Sequence, residues 1–129
     1  MLYLLHGEND LRREEFLAEV IKETGLAEDL RDLNLEVLEG PVSAGDLRGA
    51  CDALPFLGEA RVVIVRDAQK HLTGDAAREV ADYFSRLPLT THLVFVEERK
   101  VSKRSIVYKA LEDEGAAIEH FELPNAKRL

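Results

Sequence analysis

The sequence predicts an α/β protein, a three-layer sandwich in which helices cover both faces of a five-stranded parallel sheet. Short apolar stretches alternate along the chain with amphipathic helical patterns, and three of those stretches are near-continuous apolar runs. Strands covered on both faces need such runs, and helical crossovers of this length connect parallel strands. With 129 residues, 46% of them hydrophobic, the chain is long enough for one domain, 1–129, and too short for two.

The five predicted strands fall into two classes by their pattern. In chain order they span 2–6, 33–39, 61–66, 92–97 and 116–123. The first, third and fourth are near-continuous apolar runs, which predicts burial on both faces. The second and fifth alternate between apolar and polar residues, which predicts positions nearer to a sheet edge.

The first two helices are predicted from their capping signals. The first runs from about Asp10 to Thr24, and Gly25 ends it. The second begins after Ser43, an N-cap with Asp46 three residues later, and runs towards Leu54.

The last two helices are predicted from their apolar stripes. The third opens near Thr73, with inward residues Ala77, Val80, Ala81, Phe84 and Leu87. The fourth is predicted to begin at Ser102 as its cap and to end at Gly115, with inward residues Ile106, Val107, Ala110 and Leu111.

Composition excludes several functional classes. The net charge of −8 opposes tight binding of nucleic acid by this domain alone, because phosphate neutralisation needs a basic face. No apolar run approaches the ~20 residues that span a membrane, and the start MLYLLHGEND lacks signal-peptide features. The single cysteine, Cys51, fits a cytoplasmic protein and is expected to be a buried structural thiol.

The turn after the first strand is where a parallel α/β protein would cradle phosphate, and it lacks the residues to do so. It offers Gly7 alone, without the Lys-Ser/Thr pair of a P-loop, and Glu8 and Asp10 place negative charge there. The nearby cations, Arg12 and Arg13, are expected to be exposed on the first helix. We therefore expect neither a nucleotide site nor another cofactor.

No other group of residues predicts catalysis or metal binding. Asp67, at the end of the third strand, resembles a magnesium ligand but is expected to cap a helix or a turn. Glu97 and Glu98 should point to opposite faces of their strand. The four histidines are scattered without metal-ligand spacing, and His6 is expected to be a hydrogen-bonded structural residue.

Two surface features remain. Phe56 and Leu57 lie between Pro55 and Gly58 where the chain should turn at the surface, yet from the residues alone packing in the core is favoured. The only basic cluster is read as a solvated loop rather than a phosphate contact, and it contains Arg99, Lys100, Lys103 and Arg104.

Three motifs, in register, resemble the N-terminal domain of the delta subunit of the bacterial DNA polymerase III clamp loader. They are YLLHGENDLRREE, LPFLGEARVVIVRDA and KRSIVYKALEDEGA, and the resemblance extends from Leu2 to about Pro124. It implies an AAA+-like fold with strand order 5-1-4-3-2 and a lost ATP site. It also implies that this chain is a fragment of a longer protein, without catalytic activity of its own, within the polymerase III nucleotidyltransferase complex.

The resemblance further implies the partners and the site. Delta grips the ring-shaped sliding clamp, the beta subunit, and helps to open it during DNA replication. It meets the other clamp-loader subunits through its C-terminal part, and DNA only as part of the complex. The clamp-binding element matches the turn before the third strand, so the resemblance reverses the preference for core packing. Its residues here are Leu54, Pro55, Phe56 and Leu57.

Two other classes of function remain as alternatives. A small NTPase with an atypical phosphate loop would need Arg12 or Arg13 to reach the first turn. A receiver-like signalling domain would need an acidic cluster with a Thr and a Lys at the ends of later strands. The fourth strand continues as Glu97 to Arg99, without that Thr.

Overall fold

The computed structural model describes residues 1–124, and the last five residues of the predicted domain 1–129 lie outside the described part. Five parallel strands form one sheet in the order β2-β3-β4-β1-β5, which is the order that the resemblance implied. The strands are β1 Leu2–His6, β2 Leu35–Glu39, β3 Arg61–Arg66, β4 Thr91–Glu97 and β5 Ala117–His120.

Helices connect each pair of consecutive strands. They are α1 Asp10–Glu23, α2 Arg31–Asn34, α3 Ala44–Cys51, α4 Gly74–Tyr83 and α5 Ile106–Asp113. Short 3₁₀ turns lie at Glu28–Leu30, Gln69–His71 and Phe84–Arg86. No helix among residues 1–124 is long and apolar enough to cross a membrane.

Helices cover both faces of the sheet, which gives the three predicted layers. On one face α3, α4 and α5 bury Leu47, Val80 and Leu111 against the strands. On the other face α1 buries Leu17 and Val20. The residues of β2 and β5 are largely half-buried or exposed, so the prediction that these two strands lie at the sheet edges is confirmed.

Two helix ends differ from the prediction. The capping box of Ser43 and Asp46 is confirmed, but α3 ends at Cys51 instead of continuing to Leu54. A helical backbone conformation is disfavoured at the residue before a proline, and Leu54 is in that position before Pro55.

The start of α5 also differs from the prediction. Ser105, not Ser102, caps the helix, because its hydroxyl accepts a hydrogen bond from the Tyr108 N–H at 3.0 Å. Ser102 lies in the preceding turn, where its carbonyl accepts from the Ser105 N–H at 3.1 Å. The later start makes Ile106 the first helical residue, and its side chain is exposed rather than inward.

The edge strands are shorter than predicted. β2 begins at Leu35 because Leu33 and Asn34 complete the short helix α2. β5 ends at His120 rather than at residue 123.

Replacing Phe95 should test the core directly. Its ring is fully buried at the centre of β4 and meets Phe84 edge-to-face at 5.8 Å between ring centroids. Phe95→Ala is expected to lower the free energy of unfolding by about 3–5 kcal/mol in urea denaturation. Leu89→Ala removes a fully exposed side chain and should change it by less than about 0.5 kcal/mol. Equal effects of the two substitutions would contradict this description of the core.

Candidate partner-binding turn

The chain between α3 and β3 forms a turn that leaves three large apolar side chains in solvent. Leu54 is 80% exposed, Phe56 55% and Leu57 78%, while Pro55 between them is half-buried. Packing of Phe56 and Leu57 in the core, which the residues alone favoured, is therefore wrong. The turn leads into the first residue of β3, so it lies at the amino edge of the sheet.

The backbone of this turn is held in one conformation. Leu57 has a φ of +54°, a left-handed conformation that residues other than glycine rarely adopt. The side chain of Asn34 bonds to both backbone polar groups of Phe56: its Nδ2 donates to the carbonyl at 2.9 Å, and its Oδ1 accepts from the N–H at 2.6 Å. A strained residue persists when its surroundings fix it in this way.

The end of α3, from which the turn departs, is tied to the sheet. The Arg61 Nε donates to the Ala50 carbonyl at 2.6 Å, and the Thr91 hydroxyl donates to the Cys51 carbonyl at 2.7 Å. Arg61 also pairs with Glu36 on β2, with 2.9 Å between Nη2 and Oε1. The two buried bonds connect α3 to β3 and β4, and the partly exposed ion pair of Arg61 extends the connection to β2, so the turn starts from a rigid base.

Cys51 belongs to this base and has no access to solvent. Its burial raises the pKa of the thiol to about 12, so the thiol stays protonated at neutral pH. The prediction of a structural cysteine is confirmed. The neighbouring Asp52 accepts a hydrogen bond from the Tyr83 hydroxyl, which ties the helix end to α4 as well.

At the opposite, carboxyl edge, the turn after β1 is filled by protein backbone. The Gly7 N–H donates to the Glu97 carbonyl at 3.1 Å, and the Asn9 N–H donates to the Phe121 carbonyl at 3.0 Å. A Cβ at Gly7 would lie 2.2 Å from that Phe121 oxygen, and the φ of Gly7 is +130°. Two amides that a phosphate loop would offer to a ligand are therefore bonded within the protein.

Arg13 differs from the prediction that it is exposed. It is 3% exposed, and its Nη1 donates to the Gly7 carbonyl at 2.6 Å and to Asp10 Oδ1 at 2.9 Å. The Gly7 carbonyl follows the end of β1 and accepts this bond from Arg13, which lies in the first turn of α1. Arg12 is exposed, as predicted.

A cleft of about 460 Å³ lies where β3 and β4 end. Inside it the buried Glu97 Oε2 accepts from the N–H groups of Ala68 and Gln69 at 3.0 and 3.2 Å. Burial is the main cause that raises the pKa of Glu97 to about 7.

Glu98 is exposed, so the two carboxylates point apart as predicted. Asp67 Oδ1 accepts from the Glu98 N–H at 3.2 Å, so its side chain bonds to the segment after β4 rather than capping the 3₁₀ turn that follows it.

His6 is the structural residue that the sequence predicted. Its Nδ1 accepts from the Val101 N–H at 2.8 Å, and burial lowers the pKa of its ring to about 4. Its ring stacks on that of His120 at 4.8 Å, because the parallel register places the two residues side by side. Spacing along the chain does not reveal this pair. Within the described part of the chain, no three histidine, cysteine or acidic side chains group as a metal site.

The predicted basic cluster lies on the segment between β4 and α5. Arg99, Lys100, Lys103 and Arg104 are all exposed there, in agreement with the prediction of a solvated loop. The first two line the mouth of the cleft near Glu97.

The sheet order and the two helical layers define the class of fold, an α/β domain with a five-stranded parallel sheet covered by helices on both faces. The family model of the DNA polymerase III delta subunit matches residues 3–121. The chain belongs to this family.

Two solved structures share the fold. The Bacillus subtilis DNA clamp loader delta protein matches with a TM-score of 0.79 at 23% sequence identity, over 98% of this chain and 40% of that one. A DNA polymerase III gamma subunit-related protein from Thermotoga maritima matches with a TM-score of 0.59 at 17% identity, over 99% of this chain and 43% of that one. This chain thus spans less than half of either protein. No curated protein matched.

The raised pKa of Glu97 predicts a pH-dependent cost to stability. Its value of about 7 in the folded state lies above the ordinary value of 4.5, so the native state holds this proton more tightly. Stability is therefore lost as the pH rises through about 7, and Glu97→Gln should abolish that loss.

Urea unfolding at about pH 5 and about pH 8.5 tests this directly. From about pH 5 to about pH 8.5, the free energy of unfolding of Glu97→Gln should rise by about 1–2 kcal/mol relative to that of wild type. This is less than the energy that corresponds to the whole pKa shift, because the cleft admits solvent. Other titrating groups, including His6, contribute equally to the pH dependence of both proteins and cancel in the difference. A pH-independent difference would contradict the assigned state of Glu97.

Proposed function

We propose that this domain binds the sliding clamp through Phe56 and Leu57, flanked by Leu54 and Pro55, and helps to open the ring during DNA replication. The observation that carries the proposal is an adjacent pair of large apolar side chains held in solvent on a fixed turn. Membership of the delta-subunit family supports the clamp as the partner.

The exposed pair offers enough apolar surface to anchor an interface. Burying two such side chains contributes roughly 3–6 kcal/mol before the costs of association. Apolar anchors that enter a pocket usually dominate the binding energy of an interface. The fixed backbone of the turn reduces the entropy that would be lost on binding, so more of this energy appears as affinity.

We further infer that the domain neither binds nor hydrolyses ATP. The bonds that Gly7 and Asn9 donate within the protein support this, since a phosphate would have to replace them. The hydrogen bonds from Arg13 to Gly7 and Asp10 support it too, since they hold its guanidinium against the turn. A small NTPase with an atypical loop, the alternative, would have to break these contacts.

The remaining assignments follow from the family and extend beyond this chain. We propose that contacts with other clamp-loader subunits use a C-terminal part of the longer protein. DNA is then met only within the assembled polymerase III complex, in the cytoplasm. The net charge of −8 supports a domain that does not hold DNA tightly on its own.

The double variant Phe56→Ala/Leu57→Ala tests the proposed anchor. We expect wild type to bind the cognate clamp in calorimetry with micromolar affinity or tighter, and the variant to bind at least ~30-fold more weakly. Because both side chains are largely exposed, the double variant should keep the wild-type circular dichroism spectrum and Tm.

A matched control comes from the opposite edge of the sheet. Leu11→Ala removes another largely exposed leucine, at the start of α1, and should leave clamp affinity unchanged. Failure of folded wild type to bind would contradict the proposal. Equal losses in the control and the double variant would contradict the assignment of the anchor to this turn.

Nucleotide binding is tested separately by thermal unfolding. With millimolar magnesium-ATP, the Tm should shift by less than ~1 °C, because a ligand stabilises only a protein that binds it. A clamp-loader ATPase subunit measured alongside serves as the positive control. A saturable rise in Tm that Arg13→Ala abolishes would favour the NTPase alternative.

A further inference from the structure

Asn34 joins the apolar turn to a distant part of the chain. Its side chain is 1% exposed, although Asn34 ends α2 next to the edge strand β2. Both polar atoms of the side chain bond to Phe56, which lies 22 residues later. The Phe56 N–H can only donate and its carbonyl can only accept, so the pair of bonds also fixes which way the amide faces.

We propose that Asn34 is the positioning residue that holds Phe56 and Leu57 in their binding geometry. This role rests on the proposed clamp binding. In both bonds the Asn34 side chain contacts only backbone atoms of Phe56, so the Phe56 ring stays free to enter a partner. With the bonds removed, Leu57 can leave its left-handed conformation, and the two side chains lose their fixed relation.

Gly58 is the second part of this arrangement. A Cβ placed on it would lie 3.3 Å from Asn34 Nδ2 and 3.4 Å from Leu30 Cδ1. The φ of Gly58 is not in the left-handed region, so its requirement is for space rather than for backbone freedom. The turn therefore closes tightly over Asn34, and a methyl group at residue 58 would push against the amide that holds Phe56.

A purely structural role for Asn34 makes a different prediction. If the amide only stabilised the fold, its loss would lower the Tm and leave the affinity of folded protein unchanged. If Asn34 positions the turn, its loss instead lowers the fraction of folded molecules whose turn is competent to bind. The apparent Kd then rises by the inverse of that fraction, and the loss appears mainly as slower association.

The test is clamp binding by Asn34→Ala, measured by surface plasmon resonance below its unfolding transition. We expect the Kd to rise roughly 5- to 50-fold, mainly through the association rate. Amide hydrogen exchange should show faster exchange at the Phe56 N–H, because its acceptor Oδ1 is gone. Val80→Ala, which destabilises the core away from the turn, should keep the wild-type Kd.

Two glycine substitutions form a second, milder pair. Gly58→Ala is expected to raise the Kd by roughly 2- to 5-fold, because the added methyl displaces the Asn34 amide. Gly49→Ala adds the same methyl group on α3, where no atom lies within 4 Å, and should have no effect on binding. If Asn34→Ala does not fold, the Kd values of this pair and the exchange rate at the Phe56 N–H of folded Gly58→Ala decide the question.

The outcomes separate this role from the proposed function. If wild type binds and Phe56→Ala/Leu57→Ala does not, an unchanged Kd for folded Asn34→Ala overturns the role of Asn34 alone. If Asn34→Ala and Val80→Ala lose affinity equally, the loss reports stability, and the positioning role is again overturned. If folded wild type does not bind the clamp, the proposed function fails and this role fails with it.

Discussion

The constraint on which the rest of the structure depends is a parallel sheet covered by helices on both faces. Every strand of such a sheet starts at one edge and ends at the other, so functional groups are confined to two rims. At the carboxyl rim, Gly7 and Asn9 are bonded to carbonyls of the chain itself. At the amino rim, the turn before β3 holds Phe56 and Leu57 in solvent. At the carboxyl rim the first turn is thus closed by the chain's own backbone, and the amino rim presents an apolar anchor.

The two rims differ in how their backbone is used. Around the first turn, Arg13 and the Phe121 carbonyl complete hydrogen bonds that a ligand would otherwise make. Around the apolar turn, the bonds to Asn34 and the ties from Arg61 to α3 fix the backbone and leave the apolar side chains uncovered. A rigid backbone with free side chains suits binding to a protein, because little conformational entropy remains to be lost.

Patterns of local sequence predicted the strands and helices, since a buried parallel strand has few alternatives to a continuous apolar run. The strand order came from the resemblance. Local patterns failed where a distant contact decides the outcome. Arg13 is buried where its guanidinium donates to the Gly7 carbonyl. Asn34, which was predicted to lie in the second strand, instead completes α2 and bonds to Phe56. Ser102 and Ser105 are both residues that favour an N-cap position, and the local sequence did not indicate that the helix begins after the second.

The most direct test of the central claim is amide hydrogen exchange across the whole domain, with and without the cognate sliding clamp. If the amino rim binds the clamp, protection should increase across residues 54–58 and leave the first turn, residues 7–13, unchanged. The helices that cover the two faces should exchange as before. Protection centred on residues 7–13, or no change anywhere at saturating clamp, would contradict the account.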